Sequence, residues 1–223
     1  MTSQVASRFK STCMFFSFDC ETDGPDHNML EGGLVAFDHT GKEVGVYRFA
    51  MTPQGPSDPN TLKWLTSTMI GNISVYENAL QGAIDPYIAM RDATCWCMDT
   101  LLQHNATTGY LLCFPSAFDG RYWTNYCERY NLDGYDNFLA RFPKARTDPT
   151  KRLYRDPFGF NHIDGQSFAM GLLTERANLK TLRSYYFSPE ESSSFEKIAH
   201  DAVQDARNQG QLFFRIAETF QKR

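Results

Sequence analysis

The stretch FFSFDCETDG, residues 15 to 24, joins an apolar run to three closely spaced acids. Its phenylalanines fit a strand in the interior of a protein, yet Asp19, Glu21 and Asp23 follow directly, with no basic residue among them. Side chains alternate between the two faces of a strand, so Asp19 and Glu21 should point to the same face. The sequence therefore predicts a strand that brings two unpaired carboxylates together on one face of a sheet.

The composition of the chain fits one domain of ordinary size. Its 223 residues are 42% hydrophobic and 14% aromatic, enough to bury a complete core, and we expect a single domain over residues 1–223. The formal net charge of −4 excludes a general polycationic surface for duplex DNA, so any contact with nucleic acid should be local. No apolar run approaches the about 20 residues of a membrane span, and we expect a cytoplasmic protein without membrane contact.

The order of predicted elements indicates a mixed α/β fold. Strands are predicted at 13–19, 30–38, 43–51 and 109–115. Helices are predicted from Asp58, at 72–81, from Pro86 to Leu102, from Phe118, at 166–174, at 178–186, and from Asp201 to Gln221. Residues 135–165 are aromatic and basic without a sustained period, and no element is assigned there. An antiparallel start followed by helices around a later strand is typical of an α/β sandwich.

Two further positions place acids in unusual settings. Asp119 follows the strand predicted at 109–115 and lies among aromatic residues, where an unpaired charge is costly, so a cation should be near it. His200 and Asp205 stand at the start of the last helix, where both can face one cleft. Each feature alone is usually surface charge or a helix cap. Together, the four carboxylates favour a site for divalent cations, and all-oxygen ligands favour Mg²⁺ or Mn²⁺ over Zn²⁺.

Three segments resemble the motifs of the DEDDh group of 3′→5′ exonucleases, which includes proofreading subunits of DNA polymerases and RNase T. These segments are FDCETDG, FDG and HDAVQD, within residues 15–24, 114–123 and 199–206. Further stretches, such as DPNTLKWL and DPFGFNHIDGQSFAMGLL, are similar to compact single-domain bacterial and viral members, so that the resemblance extends over residues 14–220. It implies one exonuclease domain with an RNase H-like fold, a mixed five-stranded sheet flanked by helices.

The resemblance also implies a mechanism, carried over residue by residue. Asp19, Glu21, Asp119 and Asp205 would bind two Mg²⁺ or Mn²⁺ ions, and His200 would be the general base. The chain would then release nucleoside 5′-monophosphates from the 3′ ends of single-stranded nucleic acid. By analogy with the compact relatives, RNA is a slightly more expected substrate than DNA. Many relatives are dimers, so a homodimer is a further expectation.

Several side chains are candidates for contacting the substrate. Those expected to stack on or wedge between the terminal bases are Met29, Leu30, Trp64 and Phe118. Core packing is an equal alternative for Trp64, and Met29 and Leu30 could equally belong to the second strand. Basic side chains that could follow the phosphates, or lie on a solvated loop, are Arg146, Lys151, Arg152 and Arg155.

Two other functions are compatible with the same residues. The chemistry could act on dinucleotides or very short oligonucleotides, because the chain has no extended basic surface. Alternatively, an RNase H-like scaffold could bind nucleic acid or a protein without cutting. The four acids and the histidine expected for catalysis are all present. This argues against a scaffold, since a binding module has no need for four uncompensated acids.

Overall fold

A computed structural model describes residues 9–130, 158, 161–173, 178–197 and 200–221. Five strands form the main sheet: β1 Cys13–Thr22, β2 Met29–Asp38, β3 Glu43–Ala50, β6 Thr108–Cys113 and β7 His162–Asp164. A separate hairpin consists of β4 Met69–Ile70 and β5 Ile73–Ser74. The order of strands in the main sheet is β3-β2-β1-β6-β7, so that β1 lies at its centre.

Eight helices accompany the sheet in the described part of the chain. They are α1 Pro59–Ser67, α2 Val75–Ala79, α3 Pro86–Gln103, α4 Asp119–Arg129, α5 Gly165–Leu173, α6 Leu179–Tyr186, α7 Pro189–Lys197 and α8 Ala202–Gln221. Asp58 caps α1 by accepting a hydrogen bond from the backbone N–H of Thr61. Within the described ranges, no helix has the length and apolar character needed to cross a membrane.

The pairing of the strands confirms the predicted mixed sheet. β1 runs antiparallel to β2, and β2 runs antiparallel to β3, as the early strands predict. β1 and β6 are parallel, and so are β6 and β7. β7 was not predicted because a strand of three residues is too short to show an alternating pattern.

Both faces of the sheet are covered, which explains why β1 contains consecutive large apolar residues. Phe16 and Phe18 belong to a core shared with α3 and α4, where Trp123 meets Phe18 at 5.2 Å between ring centroids. Phe15 faces the opposite side, in a core shared with α8, and its ring lies 5.5 Å from that of Phe213. A strand buried on both faces does not show the alternation of a half-exposed strand.

The start of α8 lies directly against the sheet because Gly33 leaves room for it. Gly33 is the partner of Asp19 in the pairing of β1 with β2. A Cβ atom at Gly33 would lie 2.3 Å from the carbonyl carbon of Ala202 and 2.4 Å from the nitrogen of Val203. No side chain larger than hydrogen fits there, so this glycine allows the first turn of α8 to approach the acids of β1.

Some predicted elements were wrong in detail. The helix predicted at 72–81 is the β4–β5 hairpin followed by the short helix α2, whose start is fixed by a reciprocal capping box between Ser74 and Glu77. The helix α7 was not predicted. Much of the unassigned segment 135–165, including the four basic residues named above as phosphate contacts, lies outside the described residues.

Candidate active site

Three predicted acids meet where β1 faces the first turn of α8. One carboxylate oxygen from each of Asp19, Glu21 and Asp205 lies within 4.8 Å of the others. Asp19 and Glu21 share a face of β1 because they are two residues apart, and Asp205 lies in the first turn of α8. The geometry therefore joins two sequence segments that are almost the whole chain apart.

Asp119 approaches Asp19 from the start of α4. Its side chain is buried, and its Oδ1 accepts hydrogen bonds from the backbone N–H of Cys20 at 3.3 Å and from the Cys20 thiol at 3.4 Å. Asp119 is not part of the three-carboxylate cluster, but its charge is close enough to help raise the pKa of Asp19. The cation expected beside Asp119 is not found among the described side chains, where no ion pair to Asp119 exists.

Burial and mutual repulsion raise the pKa values of these acids. Burial raises the pKa of Asp19 well above its usual value, and the charges of Asp119, Asp205 and Glu21 raise it further. Burial raises the pKa of Asp119 to about 7, against the lowering effect of the hydrogen bonds from Cys20. The pKa of Asp205 is also raised, mainly by burial. Carboxyl groups whose pKa is raised in this way become stable in the charged form when a cation binds between them.

The donor set fits a hard divalent cation. The atoms that converge are carboxylate oxygens, which Mg²⁺ and Mn²⁺ prefer. Cys20, the residue between Asp19 and Glu21, is turned into the core on the other side of the sheet. Its thiol donates to Asp119 and is not among the three converging ligand groups, which are all carboxylates.

His200 lies at the edge of the acid cluster, just before α8. Its backbone has a φ of 73°, in the left-handed region, and its N–H donates to Oδ2 of Asp205 at 2.9 Å. The Nδ1 atom of its imidazole lies 3.8 Å from Oε1 of Glu21. The Glu21 carboxylate raises the pKa of His200 above its usual value, more than partial burial lowers it. The imidazole is therefore half-buried beside the cluster, in a place where it can exchange protons.

Trp64 forms the outer wall of the site. It lies on α1, its side chain is 43% exposed, and its ring meets the His200 imidazole edge-on with 4.8 Å between centroids. This exposure argues against core packing as the role of Trp64. Phe118 is half-buried immediately before α4 and packs edge-on against Tyr122.

Unlike Trp64, Met29 and Leu30 are not exposed to solvent. Both side chains are completely buried. Met29 packs in the core shared with α3 and α4, and Leu30 packs with Leu65, Val75 and Ala79. They are the first residues of β2, and both of their side chains are enclosed by helices. Their burial argues against the predicted contact of these side chains with bases.

The loop between β1 and β2 is fixed by hydrogen bonds rather than left free beside the site. The buried carboxylate of Asp23 accepts from the backbone N–H of Asn28 at 2.6 Å and from the hydroxyl of Ser57 at 2.6 Å. The hydroxyl of Tyr122 donates to the carbonyl of Gly24 at 2.5 Å. The third acid of the opening stretch is thus a structural residue that holds the wall of the site.

Sequence reasoning missed several polar residues around the acids. Arg183 on α6 places Nη2 3.5 Å from Oδ1 of Asp205, and no spacing pattern in the sequence could have linked these two helices. Gln209 donates from Nε2 to Oδ1 of Asp19 at 2.6 Å. Because Gln209 is four residues after Asp205, the helical period could have placed both on one face.

Glu31 is another acid that the sequence analysis did not single out. It pairs with Glu21 across β1 and β2, so the two share a face of the sheet. Its side chain is fully buried and forms an ion pair with Nε of Arg48. Burial raises the pKa of Glu31 to about 7 although Arg48 lowers it. A fifth carboxyl group therefore lies on the same face of the sheet as Glu21, and it is paired with Arg48.

Comparison with known proteins shows the fold. No protein-family model and no curated protein sequence matches the chain. Exonuclease I from Methylocaldum szegediense is similar to 94% of the chain with a TM-score of 0.57 and 14% identity. A second exonuclease I structure is similar to 96% of the chain with a TM-score of 0.54 and 14% identity.

The structure of E. coli exonuclease I in complex with a 5cy-dT13 oligonucleotide is similar to 95% of the chain, with a TM-score of 0.54 and 15% identity. The similar regions make up 41%, 44% and 41% of these three longer chains. The chain thus spans about two-fifths of the length of the exonuclease I structures. It has the RNase H-like fold of these exonucleases, as the sequence predicted.

Proposed function

We propose that the chain is a metal-dependent 3′→5′ exonuclease of the DEDDh kind. It would hydrolyse single-stranded nucleic acid from the 3′ end, act as one exonuclease domain over residues 1–223, and release nucleoside 5′-monophosphates. The observation that carries this proposal is the meeting of Asp19, Glu21 and Asp205 within 4.8 Å, with His200 at their edge. The shared fold supports it, since one of the similar structures is an exonuclease in complex with an oligonucleotide.

The residues that would hold two Mg²⁺ or Mn²⁺ ions are Asp19, Glu21 and Asp205, together with Asp119 beside Asp19. When bound, such ions lower the pKa of an attacking water and stabilise the charge that develops on the phosphate and the departing oxygen. The protein contributes a fixed arrangement of carboxylates that is mostly closed to solvent. Their mutual repulsion is relieved when cations bind, which favours binding.

We propose that His200 takes the proton from the attacking water. Its Nδ1 faces Glu21, so Nε2 is the nitrogen that would accept the proton. The Glu21 carboxylate stabilises the imidazolium that results, as the direction of the His200 pKa shift indicates. The base therefore lies next to the metal ligands without being one of them.

The direct test is a degradation assay with the purified protein. Single-stranded RNA and DNA, each labelled at the 5′ end and ranging from dinucleotides to oligomers, are incubated with Mg²⁺, Mn²⁺ or EDTA. We expect a ladder that shortens from the 3′ end with either metal and no products in EDTA, with RNA cut at least as fast as DNA. Intact substrate under every condition would contradict the proposed activity. Cutting confined to the shortest oligomers would assign the protein to the short-substrate alternative.

Replacing Mg²⁺ with Ca²⁺ is expected to preserve substrate binding and to stop cleavage. Ca²⁺ is larger and takes more ligands in looser geometry, so it should neutralise the carboxylates while misplacing the attacking water. Binding is measured by fluorescence anisotropy of a labelled oligonucleotide, and turnover is measured in parallel. Mn²⁺ serves as the positive control. Equal turnover with Ca²⁺ and Mg²⁺ would be incompatible with the two-metal mechanism.

Trp64→Ala is expected to weaken binding of single strands by about 1 to 3 kcal/mol, the range for one base stacked on an aromatic side chain. The melting temperature should change little, because the ring is 43% exposed. Affinity is measured in Ca²⁺ so that the substrate stays intact. Tyr185→Ala, which removes an aromatic ring that is 60% exposed on α6, is the matched control. A variant with a lower melting temperature and unchanged affinity would show that Trp64 stabilises α1 and does not stack on a base.

A further inference from the structure

Gln209 is a buried polar residue in direct contact with the acid cluster. It lies on α8, one helical turn after Asp205, and is only 2% exposed. Its side-chain Nε2 lies 2.6 Å from Oδ1 of Asp19. The amide N–H faces Asp19 and the amide carbonyl faces away, which is the arrangement that stabilises the ionised carboxylate, the form that binds a cation.

We propose that Gln209 is a positioning residue that orients the Asp19 carboxylate for metal binding. The inference rests on the proposed function, because it assumes that Asp19 is a metal ligand. A carboxylate can rotate about its Cβ–Cγ bond. A short hydrogen bond to one oxygen limits this rotation, so that the carboxylate directs its lone pairs to the space between Asp19, Glu21 and Asp205, where a cation would bind.

Packing alone does not explain a glutamine at this position. Oε1 of Gln209 is buried and has no hydrogen-bond partner among the described residues. The hydroxyl of Ser17, on the same face of β1 two residues before Asp19, is also buried without a partner there. A buried amide carbonyl without a partner is unfavourable, and an apolar side chain of similar length would avoid it. The contact with Asp19 is the interaction that such a side chain could not provide.

The position of Gln209 on α8 links the two halves of the cluster. The same helix supplies Asp205, and its first turn is held against the sheet at Gly33, the strand partner of Asp19. α8 therefore provides one ligand and, one turn later, the donor that orients another ligand on β1. Outer contacts of this kind typically change metal affinity by about 10- to 100-fold when they are removed.

The test compares Gln209→Met with the wild-type protein. Methionine keeps the length of the side chain and removes the amide, and Gln209→Asn keeps the amide but withdraws it by one methylene. Gln204→Met is the matched control, because Gln204 lies on the same helix and its amide contacts Asn208 and Arg207 rather than an acid of the cluster. Mn²⁺ affinity is measured by calorimetry in the absence of nucleic acid, and the melting temperature is measured in EDTA.

We expect both Gln209 variants to bind Mn²⁺ about 10-fold or more weakly, with the Gln204 variant unchanged. The melting temperatures in EDTA should stay close to that of the wild type. Unchanged Mn²⁺ affinity in folded Gln209→Met would overturn the inference, and so would failure of both variants to fold, since Gln209 would then be a structural residue. Wild-type protein that binds no Mn²⁺ would remove the premise together with the proposed activity. If the variants lose Mn²⁺ affinity but the wild type cuts no nucleic acid, the positioning role stands and the exonuclease proposal falls.

Discussion

Asp119→Asn is expected to fold and to lose more than about 10²-fold in turnover. Removing a residue that only contacts a metal ligand already lowers metal affinity or activity by about 10- to 100-fold. Asp119 is proposed to help hold the ions itself, so its loss should cost more. Asparagine keeps the shape of the side chain and can still accept the hydrogen bonds from the N–H and thiol of Cys20. It removes the charge that the cations need. Turnover is measured at saturating substrate over a range of Mg²⁺ concentrations.

The same variant should change how stability depends on pH. The pKa of Asp119 is raised from 3.8 to about 7 in the folded protein, so the folded state binds more protons than the unfolded state between these values. The contribution of Asp119 to stability in metal-free buffer is therefore fully present below about pH 4 and is lost as the pH rises to about 7. Asp119→Asn removes this titration, and neutral asparagine also relieves the repulsion of Asp19. Its melting temperature should fall less than that of the wild type between pH 5 and pH 8.

Asp85→Asn is the matched control for the loss of one carboxylate. Asp85 caps α3 by accepting backbone hydrogen bonds, and asparagine caps a helix equally well. This variant should keep wild-type turnover. If Asp119→Asn were equally active at ordinary Mg²⁺ concentrations, the buried carboxylate at the start of α4 would not belong to the metal site.

The main sheet was predictable because its signals are local. The apolar runs of β1, β2 and β6 are long, and the turn between β2 and β3 contains the expected Asp and Gly residues. The β4–β5 hairpin was missed because each of its strands has only two residues, fewer than any periodicity can show. There, the capping box at Ser74 determines where the helix begins.

The site was predictable only in part, because burial and distant contacts are not local properties. The position of Asp19 and Glu21 on one face follows directly from their spacing. Whether an apolar residue beside the site is buried or exposed depends on elements far away in the chain. Leu30 is covered by α1 and α2, whereas Trp64 on α1 stays exposed. The partners of the acids, such as Gln209 and Arg183, come from helices whose arrangement the sequence does not reveal.

His200→Ala is expected to lose about 10² to 10⁴ in turnover while keeping its metal and substrate affinity, since a positioned general base contributes a factor of this size. The backbone N–H of residue 200, not its side chain, donates to Oδ2 of Asp205, so this ligand should remain oriented in the variant. Because His200 has a φ of 73°, a conformation that asparagine tolerates well, His200→Asn is the companion variant that separates backbone strain from loss of the base.

The pH–rate profile distinguishes a general base from a structural imidazole. The wild-type rate should rise with pH as His200 loses its proton and then level off, and its pKa lies above the usual value because of Glu21. Both variants should instead keep rising at alkaline pH, because hydroxide from the solvent partly replaces the missing base. His104→Ala, at the exposed end of α3, should follow the wild-type profile. If the two His200 variants lost their Mn²⁺ affinity, or cut at the wild-type rate across the whole profile, the imidazole would support the site without taking the proton, and the attacking water would have to give its proton to another group.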